Sequence, residues 1–296
     1  MTTLNIDIGT TACMGGCEHC RLGAQKPPEV THFSNDTLRV VEQLLLYAMA
    51  EGQETRVAYT SPLLGLQKVP FLDMTNSLSV SIGSVMELSD QRILTQLKGF
   101  TGEELQLNLN HTVFAPETTL ELFDSVLALF NEVSTQLPQV KHLIVGINHN
   151  TVTQEPVVLM FDSVVAGHAF IRYVESHLNR RCGFGLSEIK QENFRSTTKL
   201  RATVGAGKQH LTLLIRYMQK PDVSKVNVVS PFTFDMDELS VLVVDRGVHV
   251  AHFAYAINLP ELWFTHAEFE GLVAQAIHNN MSLLAVCKAV VKHRRE

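Results

Sequence analysis

From Leu4 to about Arg180, short apolar runs with strand character alternate with stretches of helical spacing, and this alternation restricts the fold more than any other feature of the chain. Leu4–Ile8, Arg56–Thr60, Leu78–Val85, Leu105–Val113, His142–Asn148 and Val157–Phe161 read as strands. Between them, Asp36–Ala50 keeps Leu38, Val41, Leu45 and Met49 at helical spacing, with Ser34, Asn35 or Asp36 available as its cap. Ser89–Lys98, Glu117–Gln136 and Ser163–Arg180 read as further helices, the second ending before Pro138. A helix that links two strands of one sheet is a crossover connection. A succession of crossovers predicts an α/β fold with a parallel sheet.

The pattern changes near Phe184. Gly183-Phe184-Gly185 is a loop signal, and Lys199–Val204 and His210–Met218 flank the glycine-rich turn at Gly205 to Lys208. Val226–Pro231 follows. Leu239–Val244 and His249–Ala256 are joined at Asp245-Arg246-Gly247, so this part reads as hairpins. One closing helix is expected from about His266 to Lys292, with Phe269, Leu272, Val273, Ala276 and Ile277 on one face. Two regions result: residues 1–183, α/β, and residues 184–296, mixed α+β.

Across the α/β region the cysteines stand out. Cys13, Cys17 and Cys20 lie at C-x3-C-x2-C directly after the first strand, with Gly15 and Gly16 between the first two. Such a loop has the freedom to bring three sulfurs onto one ion or cluster. Three thiolates are one too few for a closed tetrahedral zinc site or a fully ligated iron–sulfur cluster. A cubane held by three cysteines keeps one iron open to a small molecule. A zinc knuckle completed by His19 or His32, or three reduced thiols without metal, are the other readings of the same residues. Five cysteines, three of them in one motif, do not make a disulfide framework and point to a reducing cytoplasm. No apolar run reaches the length of a membrane span, and the N-terminus lacks a signal-peptide core.

The strand, the glycine-bearing loop and the Cys13-x3-Cys17-x2-Cys20 spacing resemble the signature of the radical S-adenosylmethionine (radical SAM) enzymes. The resemblance implies a [4Fe-4S] cluster on Cys13, Cys17 and Cys20, with S-adenosyl-L-methionine on the open iron. It implies reductive cleavage of SAM to a 5′-deoxyadenosyl radical and hydrogen abstraction from a substrate. It also implies an electron donor such as a flavodoxin or ferredoxin. The fold it implies is a partial (βα)6 TIM-like barrel over residues 1–183, with the C-terminal α+β extension, residues 184–296, closing the open side. Two positions depart from the family pattern. His19 stands where an aromatic residue usually precedes the last cysteine, and an imidazole can still pack on adenine. Thr60-Ser61-Pro62-Leu63 stands where the family places a Gly-Gly-Glu run for the methionine amine.

In parallel α/β sheets ligands sit at the carboxyl ends of the strands. Here those ends carry Thr60, Ser61, Ser84, Asn108, Asn110, Asn148 and Asn150. Each alone is explained by a cap or a loop contact, but their recurrence at successive strand ends suits the hydrogen bonding of a ribose, an amine or a carboxylate. With His19 they form the expected SAM-binding set. Cys182 is the one candidate for a catalytic hydrogen-atom donor, against the reading of an idle thiol. Cys287 falls in an apolar helix and reads as core. Gly205-x-Gly207-Lys208 lacks the spacing of a P-loop and is a turn. His249 and His252 fall on opposite faces of a strand and cannot share a metal.

The net charge of −6 disfavours an extended nucleic-acid groove. A peptide or protein side chain and a small metabolite are both open as substrates. A different class of function remains beside the enzyme: a non-catalytic accessory protein that keeps an iron–sulfur cluster or zinc on a degenerate radical SAM scaffold.

Overall fold

The computed structural model describes residues 2–9, 32–82, 90–110, 125, 128–129, 131–150, 185–192, 195–204, 209–218, 239–250 and 260–295. In chain order the elements are β1 (Thr3–Ile8), α1 (Asn35–Ala50), β2 (Glu54–Pro62), β3 (Ser77–Ile82), α2 (Arg92–Gln96), β4 (Glu104–Asn110) and β5 (His142–Asn150). The strands β6 (Gly185–Glu192), β7 (Arg195–Val204), β8 (Gln209–Met218), β9 (Leu239–Val244), β10 (Gly247–Val250) and β11 (Trp263–Phe264) follow, then α3 (His266–Asn279) and α4 (Leu283–Arg295). The chain forms two compact units, Met1–Leu78 with Asp222–Glu296, and Ser79–Pro221. The class is mixed α/β. In each unit parallel strands lie in the middle and antiparallel strands at a margin.

In the first unit β1 alternates with period two. Leu4, Ile6 and Ile8 are fully buried, and Asn5 and Asp7 take the other face. Parallel partners lie on both sides of β1: Ile6 pairs with Val57 of β2 and with Val241 of β9. Helix α1 lays Val40, Val41, Leu44 and Leu45 on this apolar face. Ser34 is its cap, the Oγ accepting from the Thr37 N–H at 3.1 Å. The β9–β10 pair is the expected hairpin, but the parallel seat of β9 beside β1 was not expected.

The hairpin turns through Asp245-Arg246 into Gly247, whose φ is +139°. A Cβ at Gly247 would stand on the Phe264 carbonyl oxygen of the neighbouring β11. Gly247→Ala is therefore expected to cost on the order of 2–4 kcal/mol, from backbone strain and the contact together. Gly52→Ala, at φ +62° in open space, is the comparison and should cost less. Denaturant midpoints of the two variants check this, and equal losses would remove the steric account.

The single closing helix is corrected to two. Thr265 opens α3 with a capping box: its hydroxyl accepts from the Glu268 N–H, and the Glu268 carboxylate accepts from the Thr265 N–H at 2.7 Å. That backbone N–H, then the Thr265 hydroxyl and Arg294, hold the Glu268 carboxyl below its ordinary value. At the far end Asn280 is left-handed, φ 53° and ψ 44°, and the Met281 N–H returns to the Ala276 carbonyl at 3.0 Å. Ser282 then caps α4, its Oγ accepting from the Ala285 N–H at 3.2 Å. The Leu283 N–H donates to the Tyr47 hydroxyl at 3.0 Å, which ties α4 to α1. Phe269, Leu272, Val273 and Ala276 are buried as expected, whereas Ile277 is 59% exposed and leaves the core face.

In the second unit β4 pairs in parallel with β5 and β5 with β8, while β7 and β6 continue antiparallel. The core is built from Val80, Ile82, Leu105, Leu107 and Leu143 with Ile93, Leu97 and Phe100. The helix expected over Ser89–Lys98 is reduced to Arg92–Gln96, started by the Asp90 carboxylate accepting from the Arg92 N–H at 2.9 Å. The loop expected at Gly185 is the start of a strand, β6. The β7–β8 hairpin has the expected antiparallel pairing. The strand expected at Val157–Phe161, the helix at Ser163–Arg180 and the strand at Val226–Pro231 lie outside the described residues.

Candidate functional site

The carboxyl end of β1 directly precedes the cysteine run in the sequence. Here the Thr60 hydroxyl, on β2, donates to the Ile8 carbonyl at 3.2 Å. On the other side the Gly9 N–H donates to the Val243 carbonyl of β9 at 3.0 Å. The chain leaving β1 is thus held from both neighbouring strands just before Cys13. The Thr60 hydroxyl has given its proton to Ile8, so its lone pairs are what it keeps for a further donor. Ser61 is almost fully buried, and β2 passes through Pro62 into a 3-10 turn at Leu63–Gly65. Beneath this end the Tyr59 hydroxyl donates to the Pro70 carbonyl, and its ring lies 5.8 Å from that of Phe33. Burial pushes the Tyr59 phenol well above its ordinary value, so it stays protonated and serves the packing.

In the second unit Asn108 is fixed at both ends of its amide. Nδ2 donates to Ser79 Oγ at 2.7 Å, and Oδ1 accepts from Gln106 Nε2 at 2.7 Å. Sequence reading found Asn108 and missed the two residues that orient it. The signal for Gln106 was present, since position i−2 on a strand shares the face. One step further back Glu104 lies 3.6 Å from His142. Asn110 and Asn148 are brought together as direct register partners on β4 and β5, and Asn150 stands opposite Met218 on β8.

Cys13, Cys17, Cys20, His19, Ser84, Cys182 and His252 lie outside the described residues. Among the described residues no three His, Cys, Asp or Glu side chains converge as a metal-binding group. Cys287 is 2% exposed, and burial pushes its thiol up to about 12, which keeps it an inert part of the core. His249 is buried with its ring 5.1 Å from that of Trp263, and the Arg246 guanidinium lies 4.2 Å over the same indole. This stack packs the hairpin margin. Among the described residues no helix is long and apolar enough to cross a membrane.

In the sequence Cys13, Cys17 and Cys20 supply three thiols, which equals the number of irons a protein holds in a site-differentiated cluster. Comparison with protein families, with curated proteins and with solved structures gave no match.

Proposed function

We propose that this chain is a radical SAM enzyme, with Cys13, Cys17 and Cys20 holding a [4Fe-4S] cluster. The observation that carries the reading is the C-x3-C-x2-C run placed just after a parallel strand, where its entry is pinned by Thr60 and Val243. Ligands of parallel α/β sheets gather at such strand ends. When bound, the cluster and SAM supply reductive cleavage to a 5′-deoxyadenosyl radical. The residues of the chain bind and orient. Thr60 fixes the start of the cysteine loop and keeps lone pairs for the methionine amine. Ser61 supplies a further donor or acceptor for SAM, and His19 packs on the adenine. Cys182 is the candidate hydrogen-atom donor. A flavodoxin or ferredoxin supplies the electron.

The fold we infer for this function is the partial (βα)6 barrel. Neighbouring placement of β1 with β2, and of β4 with β5, in chain order supports it. So does the alternation of β1, which puts Leu4, Ile6 and Ile8 on one face.

A non-catalytic protein that keeps the cluster or zinc is the second reading. It is favoured by the end of β2, which carries Thr60-Ser61-Pro62-Leu63 and neither a glycine pair nor a carboxylate. Anaerobic reconstitution followed by reduction with SAM separates the two. About four irons per chain and 5′-deoxyadenosine are expected of the enzyme. S-adenosylhomocysteine would indicate methyl transfer instead. One zinc per chain and no SAM product would leave the second reading.

A further inference from the structure

Among the described residues four large apolar side chains stay exposed, and all four lie at one end of one helix pair. Leu46 and Met49 on α1 are 52% and 60% exposed, and Ile277 on α3 and Met281 just past it are 59% and 44% exposed. Contacts at two levels show that α1 and α3 run side by side in the same direction. Arg39 pairs with Glu270, and further along both helices the Tyr47 hydroxyl accepts from the Leu283 N–H. Leu46 lies about two turns beyond Arg39 on one face of α1, and Ile277 about two turns beyond Glu270 on one face of α3. Leu46 and Ile277 therefore stand at one level of the same outer seam, which Met49 and Met281 extend. Single exposed apolar residues are ordinary, but a cluster on one seam marks a surface that another molecule covers.

The two flanks of this seam carry opposite charge. Glu270 of α3 reaches Arg39 of α1, while Glu268, on the other side of α3, reaches Arg294 of α4 at 3.2 Å. Helix α3 thus lies between α1 and α4. On the α1 flank Glu42 and Glu51 are exposed. On the α4 flank Lys288, Lys292 and His293 are exposed, and no carboxylate occurs from Leu283 to Arg295. An anionic membrane would meet the two carboxylates, and a partner of one sign would meet its own charge on one flank. A second copy of this chain carries both signs. Rotated about a two-fold axis along the helices, it closes seam on seam and sets acidic flank against basic flank twice. Helices of 16 and 14 residues side by side present a face of about 24 Å by about 20 Å, roughly 480 Å² on each copy. A standard interface buries about 800 Å² a side, so pairing of micromolar strength is expected.

We propose that this seam pairs two copies of the chain, with Leu46, Met49, Ile277 and Met281 at its centre. Neither a cluster nor SAM enters the argument. The test is sedimentation of the full chain, without reconstitution and in reducing buffer, up to about 200 μM. A species of twice the chain mass should form with a dissociation constant in the micromolar range. Leu46→Glu and Ile277→Glu should each weaken pairing about tenfold or more. Ile277 lies outside the core of the single copy, so its substitution reports on pairing and not on folding. Lys98→Gln, exposed in the second unit, should change nothing. Melting curves check that the variants fold, and Met49→Lys replaces any that does not. Reversal tests the flanks. Glu42→Lys with Glu51→Lys gives two basic flanks, and Lys288→Glu with Lys292→Glu gives two acidic ones. Each double variant alone should lose pairing, and a mixture of the two should regain it as a mixed dimer. A chain that stays monomeric at about 200 μM would overturn the proposal, as would dimers indifferent to both Leu46→Glu and Ile277→Glu. So would a mixture that does not pair, or a monomer that sediments with phosphatidylserine vesicles, which would assign the seam to a membrane.

Discussion

Cys17→Ala should cost the chain most of its iron and, with it, all formation of 5′-deoxyadenosine. In the proposed enzyme each of the three thiolates would hold one iron of the cluster, and two thiolates would leave it without a stable third anchor. After anaerobic reconstitution the native chain is expected to carry about four irons and the variant less than about one. Cys287→Ala is the control. Its thiol is buried and pushed up to about 12, so at neutral pH it offers no thiolate to iron, and the iron content should stay unchanged. A full complement of iron in Cys17→Ala would defeat the assignment. Chelation of the native protein should leave far-ultraviolet circular dichroism nearly intact, because α1, α3 and the parallel strands bury their own apolar core. Collapse on chelation would mean a structural metal whose binding is coupled to folding.

Phe269→Ala should be the most damaging single truncation in the first unit, at about 3–5 kcal/mol. Phe269 is fully buried under α3, with its ring 6.3 Å from that of Phe264 and tilted by 60°. Phe264 belongs to β11 and carries the carbonyl that crowds Gly247. A cavity at Phe269 therefore loosens the helix and the hairpin margin at once. Ile277→Ala, a little over two turns further along α3, should cost no more than about 0.5 kcal/mol, as an exposed position. Urea unfolding of both variants gives the comparison. Equal losses would mean that α3 is packed through a different face.

The legible part of the fold was local. β1, α1, β2 and β5 were readable because apolar period and cap sit within the same few residues: Leu4, Ile6 and Ile8 alternate, and Ser34 precedes a helical stripe. The break after Asn279 was written in Asn280 and Ser282, a left-handed stop followed by a cap. It was overlooked because the apolar spacing resumes on the far side. Ile277 was misplaced for a related reason, since a stripe drawn through one long helix does not stop where the real helix turns away. The parallel pairing of β1 with β9 has no local signature at all. It depends on which strand reaches the free edge of β1, a choice made by the whole chain. At the site, Asn108 was found from its strand end, and its orientation by Ser79 and Gln106 needed the neighbouring strand.

The seat of β9 beside β1 makes the order of synthesis matter. When Ile8 leaves the ribosome one edge of β1 can be covered by β2, but its other partner, Leu239–Val244, is still most of a chain away. At about 5–20 residues per second the nascent protein keeps that edge open for roughly ten seconds or more. An uncovered apolar strand edge is a template for pairing with another chain. Shortened chains that stop before Leu239 should therefore precipitate rather than fold. In the complete chain, expression in the cold or with a holdase chaperone should raise the soluble yield by shielding β1 until β9 arrives.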